Sequence, residues 1–118
     1  MIGSWLLGPQ LIGLLFIVIG FLLLTFPPKK INDFYGYRMP SAQENQAKWD
    51  EAQRYAGSFM MKIGVIYTLT GLLLAALLHI LHWPYRPLMP ILSIFAGISA
   101  PVLLIVFTER HLDHVFKN

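Results

Sequence analysis

Three long apolar stretches flank one polar segment along this chain of 118 residues. The windows Met1–Phe26, Ile63–Tyr85 and Pro87–Thr108 hold 26, 23 and 22 residues without a single Asp, Glu, Lys or Arg. A helix needs roughly 20 apolar residues to cross the hydrocarbon core of a bilayer, and a backbone in lipid must satisfy its hydrogen bonds internally. The pattern predicts an all-α integral membrane protein rather than a soluble bundle. We expect one domain, residues 1–118, with transmembrane helices at about 6–26, 60–82 and 88–108.

The first apolar window is expected to be a retained span rather than a cleaved signal peptide. A signal peptide begins with basic residues and ends at a small-residue cleavage site. This window has no Lys or Arg at its start and ends in Phe26-Pro27-Pro28-Lys29-Lys30.

The polar segment, residues 27–58, divides into a loop and a helix. Ser41 and Glu44 have the spacing of a capping box. Apolar residues then recur at steps of three and four, at Trp49, Ala52, Ala56 and Phe59. This predicts an amphipathic helix on the cytoplasmic membrane surface that turns into the second span near Gly57. A helix covering the inner mouth of the bundle fits the same pattern.

Small residues recur on one face of each predicted span, and such faces let helices approach closely in lipid. They are Gly13 and Gly20, Gly64 and Gly71, Ser93 and Gly97, and Ala96 and Ala100. We expect a compact three-helix bundle or a homo-oligomer of it.

Basic residues orient the predicted spans. With three spans, one side of the membrane holds eight of the nine Lys and Arg residues, and the other side holds Arg86. Positive charge favours the cytoplasmic side, so we expect a multi-pass protein of the bacterial inner membrane. Its N-terminus would lie outside, and residues 27–62 and the C-terminus would be cytoplasmic. The net charge of +3 is explained by this topology, and no direct nucleic-acid partner is expected.

Catalytic and transport chemistry has little support in the sequence. The chain has no cysteine, no ionisable relay at mid-membrane depth of the kind that pumps use, and no recognisable hydrolase or phosphate-loop motif. We therefore expect no enzyme activity. A membrane enzyme stays an alternative, with Arg38 binding a lipid phosphate and an acidic residue of the polar segment as base. The candidate acidic residues are Asp33, Glu44, Asp50 and Glu51.

The four histidines form two pairs, His79/His82 and His111/His114. The predicted topology puts the pairs at opposite membrane surfaces, so they cannot share one zinc ion. Glu109 and Asp113 could complete a weak site with the inner pair, but we expect neither a metal nor another cofactor.

The loop Asn32-Asp33-Phe34-Tyr35-Gly36-Tyr37-Arg38-Met39-Pro40 carries the most distinctive polar pattern. Asn32 can cap a turn and Gly36 can adopt a positive φ. Tyr37 suits the membrane interface, and the rigid guanidinium of Arg38 suits a phosphate headgroup or a carboxylate.

The spacing Asn32-x-x-x-Gly36-Tyr37-Arg38, followed by Asn45-x-x-x-Trp49 and Gly57, resembles the signature of the SdpI-type immunity-protein family. The order of one span, signature loop and two spans is that of a small member. Two positions depart from the family pattern: Met39, where threonine is common, and Ala42, where serine is frequent.

The resemblance implies resistance to a secreted peptide toxin that attacks the membrane, through non-covalent recognition. In the best-known type, the cytoplasmic face also holds a transcriptional repressor at the membrane, so a repressor is a second expected partner. The expected binding residues are Asn32, Gly36, Tyr37, Arg38, Asn45 and Trp49. The alternative from another class is a small structural or lipid-binding membrane subunit without a toxin partner. It requires only the packing glycines and the basic rim that attracts anionic lipid.

Overall fold

The computed structural model describes residues 8–32, 34–84 and 87–116, and its regular structure consists of three α-helices. Helix α1 spans Pro9–Thr25, α2 spans Gln46–Ile80 and α3 spans Leu88–Val115. They pack into an elongated body of 54 × 26 × 19 Å. The expected all-α architecture with three helices is confirmed.

Helix α1 is short and bounded by prolines. It has 17 residues, with Pro9 in its first turn and Phe26 as C-cap ahead of Pro27 and Pro28. At 1.5 Å per residue it is about 26 Å long. It is apolar but shorter than the span predicted at 6–26, whose first two residues lie outside the described part of the chain.

Helix α2 is continuous over 35 residues, which makes it about 52 Å long. The prediction of a separate surface helix that turns near Gly57 is therefore wrong. Gly57 lies inside α2, where a Cβ would come within 2.9 Å of the side chain of Leu24. Gly57 allows α2 to approach α1 closely. The apolar stripe that precedes it is buried in the core of the protein.

The predicted capping box at Ser41 is also wrong. Helix α2 begins after Asn45, whose side-chain oxygen accepts a hydrogen bond from the backbone N–H of Lys48 at 2.9 Å. Ser41 instead lies in a turn closed by the N–H of Ala42 donating to the carbonyl of Met39 at 2.9 Å. The serine hydroxyl donates a hydrogen bond to Glu109 of α3, so it does not cap α2.

Two of the three helices, α2 and α3, are long and apolar enough to cross a membrane. Their most apolar windows are only 22% and 17% buried, whereas the core helix of a soluble protein is mostly buried. This suggests a multi-pass membrane protein. Helix α3 continues to Val115, beyond the predicted end at residue 108, and so carries Glu109 and His111 on a helical surface.

Glycines bring α1 and α2 into close contact. A Cβ built on Gly13 would come within 2.5 Å of the carbonyl oxygen of Gly64, and one on Gly20 within 2.7 Å of that of Gly57. The predicted close approach of these glycine faces is confirmed, as expected where packing drives helix association. In α3, Ala96 and Ala100 are buried. For Gly97, by contrast, the nearest side chain in the described part of the protein is that of Ile12, 3.8 Å from a built Cβ.

Candidate functional site

Residues 28–32 and 34–45 belong to one loop, called the signature loop, that packs against the first turns of α2 and the last turns of α3. An apolar cluster lies beneath it and joins all three helices. The members of this cluster are Leu23, Tyr37, Ala42, Trp49, Ala52, Ala56 and Leu112. The loop is therefore a packed part of the fold, and its polar residues have defined positions.

Asn32 shapes the first turn of the signature loop. Its side-chain oxygen accepts hydrogen bonds from the N–H groups of Phe34 and Tyr35, both at 2.8 Å, and its amide donates to the carbonyl of Lys30 at 2.9 Å. This is an Asx turn, in which a side chain replaces a backbone partner. The turn presents Phe34 to the outside with 92% of its surface exposed.

Trp49 fastens the start of the loop to α2. Its side chain is fully buried, and its indole N–H donates to the carbonyl of Pro28 at 2.6 Å. Burial of an indole requires such a partner for the N–H. Trp49 thus attaches the loop to α2, while Asn45 acts as the N-cap of the same helix.

Gln53, one turn further along α2, holds the centre of the loop. Its side chain is 2% exposed; its oxygen accepts from the N–H of Tyr37 at 2.6 Å and its amide donates to the carbonyl of Tyr37 at 2.8 Å. A buried side chain thus satisfies both backbone groups of one loop residue, much as a neighbouring strand would. Loss of such partners costs about 1–3 kcal/mol for each buried group left unpaired.

Sequence reasoning missed Gln53. The available signal was its position four residues after Trp49 and three before Ala56, on the face that carries the apolar stripe. A polar residue on a buried helix face needs a partner.

Gly36 is required by this arrangement. Its φ is +105°, a region that side chains disfavour, and a Cβ there would lie 2.5 Å from the Gln53 oxygen and 2.7 Å from the ring of Pro28. The positive φ expected from the sequence is confirmed. The close approach adds a second reason for glycine at this position.

Glu109 ties the loop to α3. Its carboxylate accepts hydrogen bonds from the hydroxyl of Tyr37 at 2.7 Å and from the hydroxyl of Ser41 at 2.6 and 2.7 Å. Tyr37 is 6% exposed, so it is a core residue rather than the interfacial anchor we expected. Burial, and then the carboxylate of Glu109, raise the pKa of Tyr37 well above its usual value. The phenol accordingly stays protonated and remains a donor. Sequence reasoning missed this contact.

A second polar cluster joins α2 and α3 beside the loop. A ring nitrogen of His111 lies 2.5 Å from the carboxylate of Glu51, and the imidazole stacks on Tyr55 with centroids 4.1 Å apart. Arg54 also donates to Glu51. The guanidinium of Arg54, followed by His111, lowers the pKa of Glu51 against the opposing effect of burial. Arg54 pairs in this way with the acidic residue three positions before it in α2.

The inner histidines and acids do not converge on one point. Glu109 faces Tyr37 and Ser41, whereas His111 faces Glu51. Within residues 8–32, 34–84 and 87–116, no group of three or more His, Asp or Glu side chains could hold a metal ion. The candidate base Asp33 lies outside the described residues.

Arg38 lies on the open side of the loop. Arg38 is exposed, and its backbone carbonyl accepts a hydrogen bond from the side-chain amide of Gln43 at 2.6 Å. It borders a cavity of about 430 Å³ beneath the loop, between α1 and α3. A second cavity of about 390 Å³ lies between the loop and α2 and is bordered by Lys29, Asp50 and Arg54.

The six predicted binding residues therefore occupy one region of the molecule. Five of them shape or anchor the loop, and Arg38 borders a cavity. Their part in binding a partner stays a prediction.

Comparison with known proteins connects this region to a family. The sequence model of the SdpI/YfhL protein family matches residues 29–108, which include nearly all of the signature loop, the whole of α2 and most of α3. An uncharacterised protein, YfhL of Bacillus subtilis (strain 168), is 37% identical over 100 residues, covering 85% of this chain and 81% of the relative. No solved structure matches the chain.

Proposed function

This chain belongs to the SdpI/YfhL protein family, and we propose that it protects a bacterial membrane against a membrane-active peptide toxin by non-covalent recognition. The main support for this proposal is that the residues of the family signature form one ordered loop. Asn32 and Gly36 shape the turns of the loop, and Trp49 fastens it through a buried hydrogen bond. The loop in turn places the exposed Arg38 at the border of a cavity. Such an arrangement suits recognition, because rigid support lowers the entropy lost on binding.

In the proposed topology the N-terminus is outside, and the signature loop and C-terminus are cytoplasmic. The turn between α2 and α3 and the outer bundle surface would meet the peptide. The signature loop would brace the bundle or transmit the response, with a cytoplasmic repressor or a second copy of the chain as further partners. The distribution of Lys and Arg supports this orientation.

The topology can be tested with a single introduced cysteine, because the natural chain has none. Gln43→Cys is expected to react with a membrane-impermeant thiol reagent only after the cells are opened. Labelling in intact cells would invert the topology and remove the assigned roles of the two sides.

The proposed function is tested by survival of cells exposed to a membrane-active peptide toxin. Arg38→Ala is expected to lose protection, whereas Arg110→Ala, which removes another exposed cation near the same end of the molecule, is expected to keep it. Membrane abundance of the two variants is matched by immunoblotting. Full protection by Arg38→Ala would remove Arg38 from the mechanism, and deletion of the gene without any change in sensitivity would refute the proposed function itself.

A further inference from the structure

We propose that the cavity beneath the signature loop binds one anionic phospholipid, with the phosphate at Arg38 and an acyl chain between α1 and α3. The proposal concerns the protein's own lipid ligand and does not depend on resistance to a peptide. It follows from the walls of the cavity, its opening and its charge.

The walls are apolar and come from all three helices. Leu23 of α1, Ala56 and Met60 of α2, and Leu104 and Ile105 of α3 contribute to them. The volume of about 430 Å³ falls within the range of about 300–1,000 Å³ typical of small-molecule sites. The walls suit an acyl chain better than a peptide segment, because a buried peptide backbone would need hydrogen-bond partners that these side chains cannot provide.

The cavity opens towards the apolar outer surface of the bundle. Ile19 of α1, which borders it, is 45% exposed, and Pro101 of α3 is exposed as well. Both residues belong to apolar helices, and α3 is one of the two candidate membrane spans. A lipid could thus enter sideways from the bilayer, with its chain already in an apolar environment.

The rim carries positive charge. Among the twelve described residues that border the cavity, the charged one is Arg38, and none of the twelve has a carboxylate. A guanidinium can bind a phosphate through two parallel hydrogen bonds. Lys29 and Lys30 are exposed on the same loop and add to the attraction of anionic lipid.

The test is native mass spectrometry of the full-length protein released from detergent micelles. The protein is titrated with phosphatidylglycerol, with phosphatidylcholine of the same acyl chains, and with glycerol phosphate, which has the anion but no chain. Both lipids carry a phosphate that Arg38 could contact, but the choline cation of phosphatidylcholine partly neutralises its phosphate and is repelled by Arg38, Lys29 and Lys30. We therefore expect one phosphatidylglycerol per chain, bound about tenfold more tightly than phosphatidylcholine. Glycerol phosphate should not bind measurably. Equal binding of the two lipids, or binding of glycerol phosphate as tight as that of phosphatidylglycerol, would overturn the proposal.

Two matched pairs of variants locate the lipid. Arg38→Gln should lose most of the preference for phosphatidylglycerol, whereas Arg110→Gln should keep it. Ile105→Trp should fill the cavity and abolish binding of both lipids, whereas Ile98→Trp, at a residue of α3 that is 62% exposed, should not.

Circular dichroism and gel filtration are used to check whether each variant is folded. If Arg38→Gln and Arg110→Gln have equal effects, the lipid is attracted by the overall charge of the protein. If Ile105→Trp binds both lipids unchanged, the acyl chain lies outside this cavity. Either result rejects the site. If Ile105→Trp does not fold, the titration with glycerol phosphate decides whether binding requires the acyl chain. These titrations contain no peptide toxin, so a failure of the lipid proposal and a failure of the proposed function can be told apart.

Discussion

Replacing Gly36 by alanine tests whether the signature loop is held as the structure shows. Two costs combine in this variant. A non-glycine residue at φ +105° carries about 1–3 kcal/mol of backbone strain. The new Cβ would also lie 2.5 Å from the oxygen of Gln53 and 2.7 Å from Pro28, and overpacking of this kind costs about 1–3 kcal/mol. We expect Gly36→Ala to lower the free energy of unfolding by about 2–6 kcal/mol, the sum of these two ranges.

The chain offers a matched control in Gly97. This glycine lies inside α3, where a new Cβ would be 3.8 Å from Ile12, the nearest side chain among the described residues. Alanine is favoured over glycine in a helix by about 0.5–1 kcal/mol, so Gly97→Ala should leave stability unchanged or raise it. The two variants make the same chemical change with opposite expected signs.

The measurement is unfolding of the full chain in mixed detergent micelles, followed by circular dichroism and by tryptophan fluorescence. The buried indole of Trp49 should become exposed earlier in Gly36→Ala than in the wild type. A stability for Gly36→Ala within about 0.5 kcal/mol of the wild-type value, the scatter of ordinary surface substitutions, would show that the loop does not pack against Gln53 as described.

Two further predictions concern α2. The pKa of Glu51 is lowered by Arg54 and His111, so the carboxylate should stabilise the fold above its unfolded pKa of about 4.3 and cease to do so as pH falls through its folded pKa. Glu51→Gln should therefore be less stable than wild type at pH 7, with the difference vanishing in acid; a difference independent of pH would contradict the assignment. Spin labels at residues 47 and 62, both exposed, should report backbone positions about 22 Å apart, the length of 15 helical residues. A clearly shorter distance by pulsed electron paramagnetic resonance would indicate a bend near residue 57.

Local signals predicted much of the fold. Apolar windows gave the three helices, because length and composition decide whether a segment can be helical in lipid. The glycine faces at Gly13 and Gly64 gave the close pair of helices, and Asn32 and Gly36 gave the turns of the loop. Each of these predictions depends only on residues that are near one another in the sequence or that recur at a fixed spacing.

The errors arose where a distant residue decides between two local choices. Ser41 and Asn45 are both good N-caps, and the choice is made by Glu109, 68 residues after Ser41, which accepts the serine hydroxyl. Gly57 is compatible with a bend or with a close approach, and the neighbouring helix α1 decides for the latter. Likewise, the role of Gln53 depends on a backbone segment 16 residues earlier.

The attachment of Tyr37 and Ser41 to Glu109 has a consequence for biogenesis. Ribosomes make a chain from its N-terminus, so the partner of Tyr37 is synthesised 72 residues after the tyrosine itself. The loop can settle on α2 early, through Trp49 and Gln53, but its two hydroxyls must wait until α3 has been made and has packed against the loop. Completion of the loop therefore marks the point at which all three helices are in place.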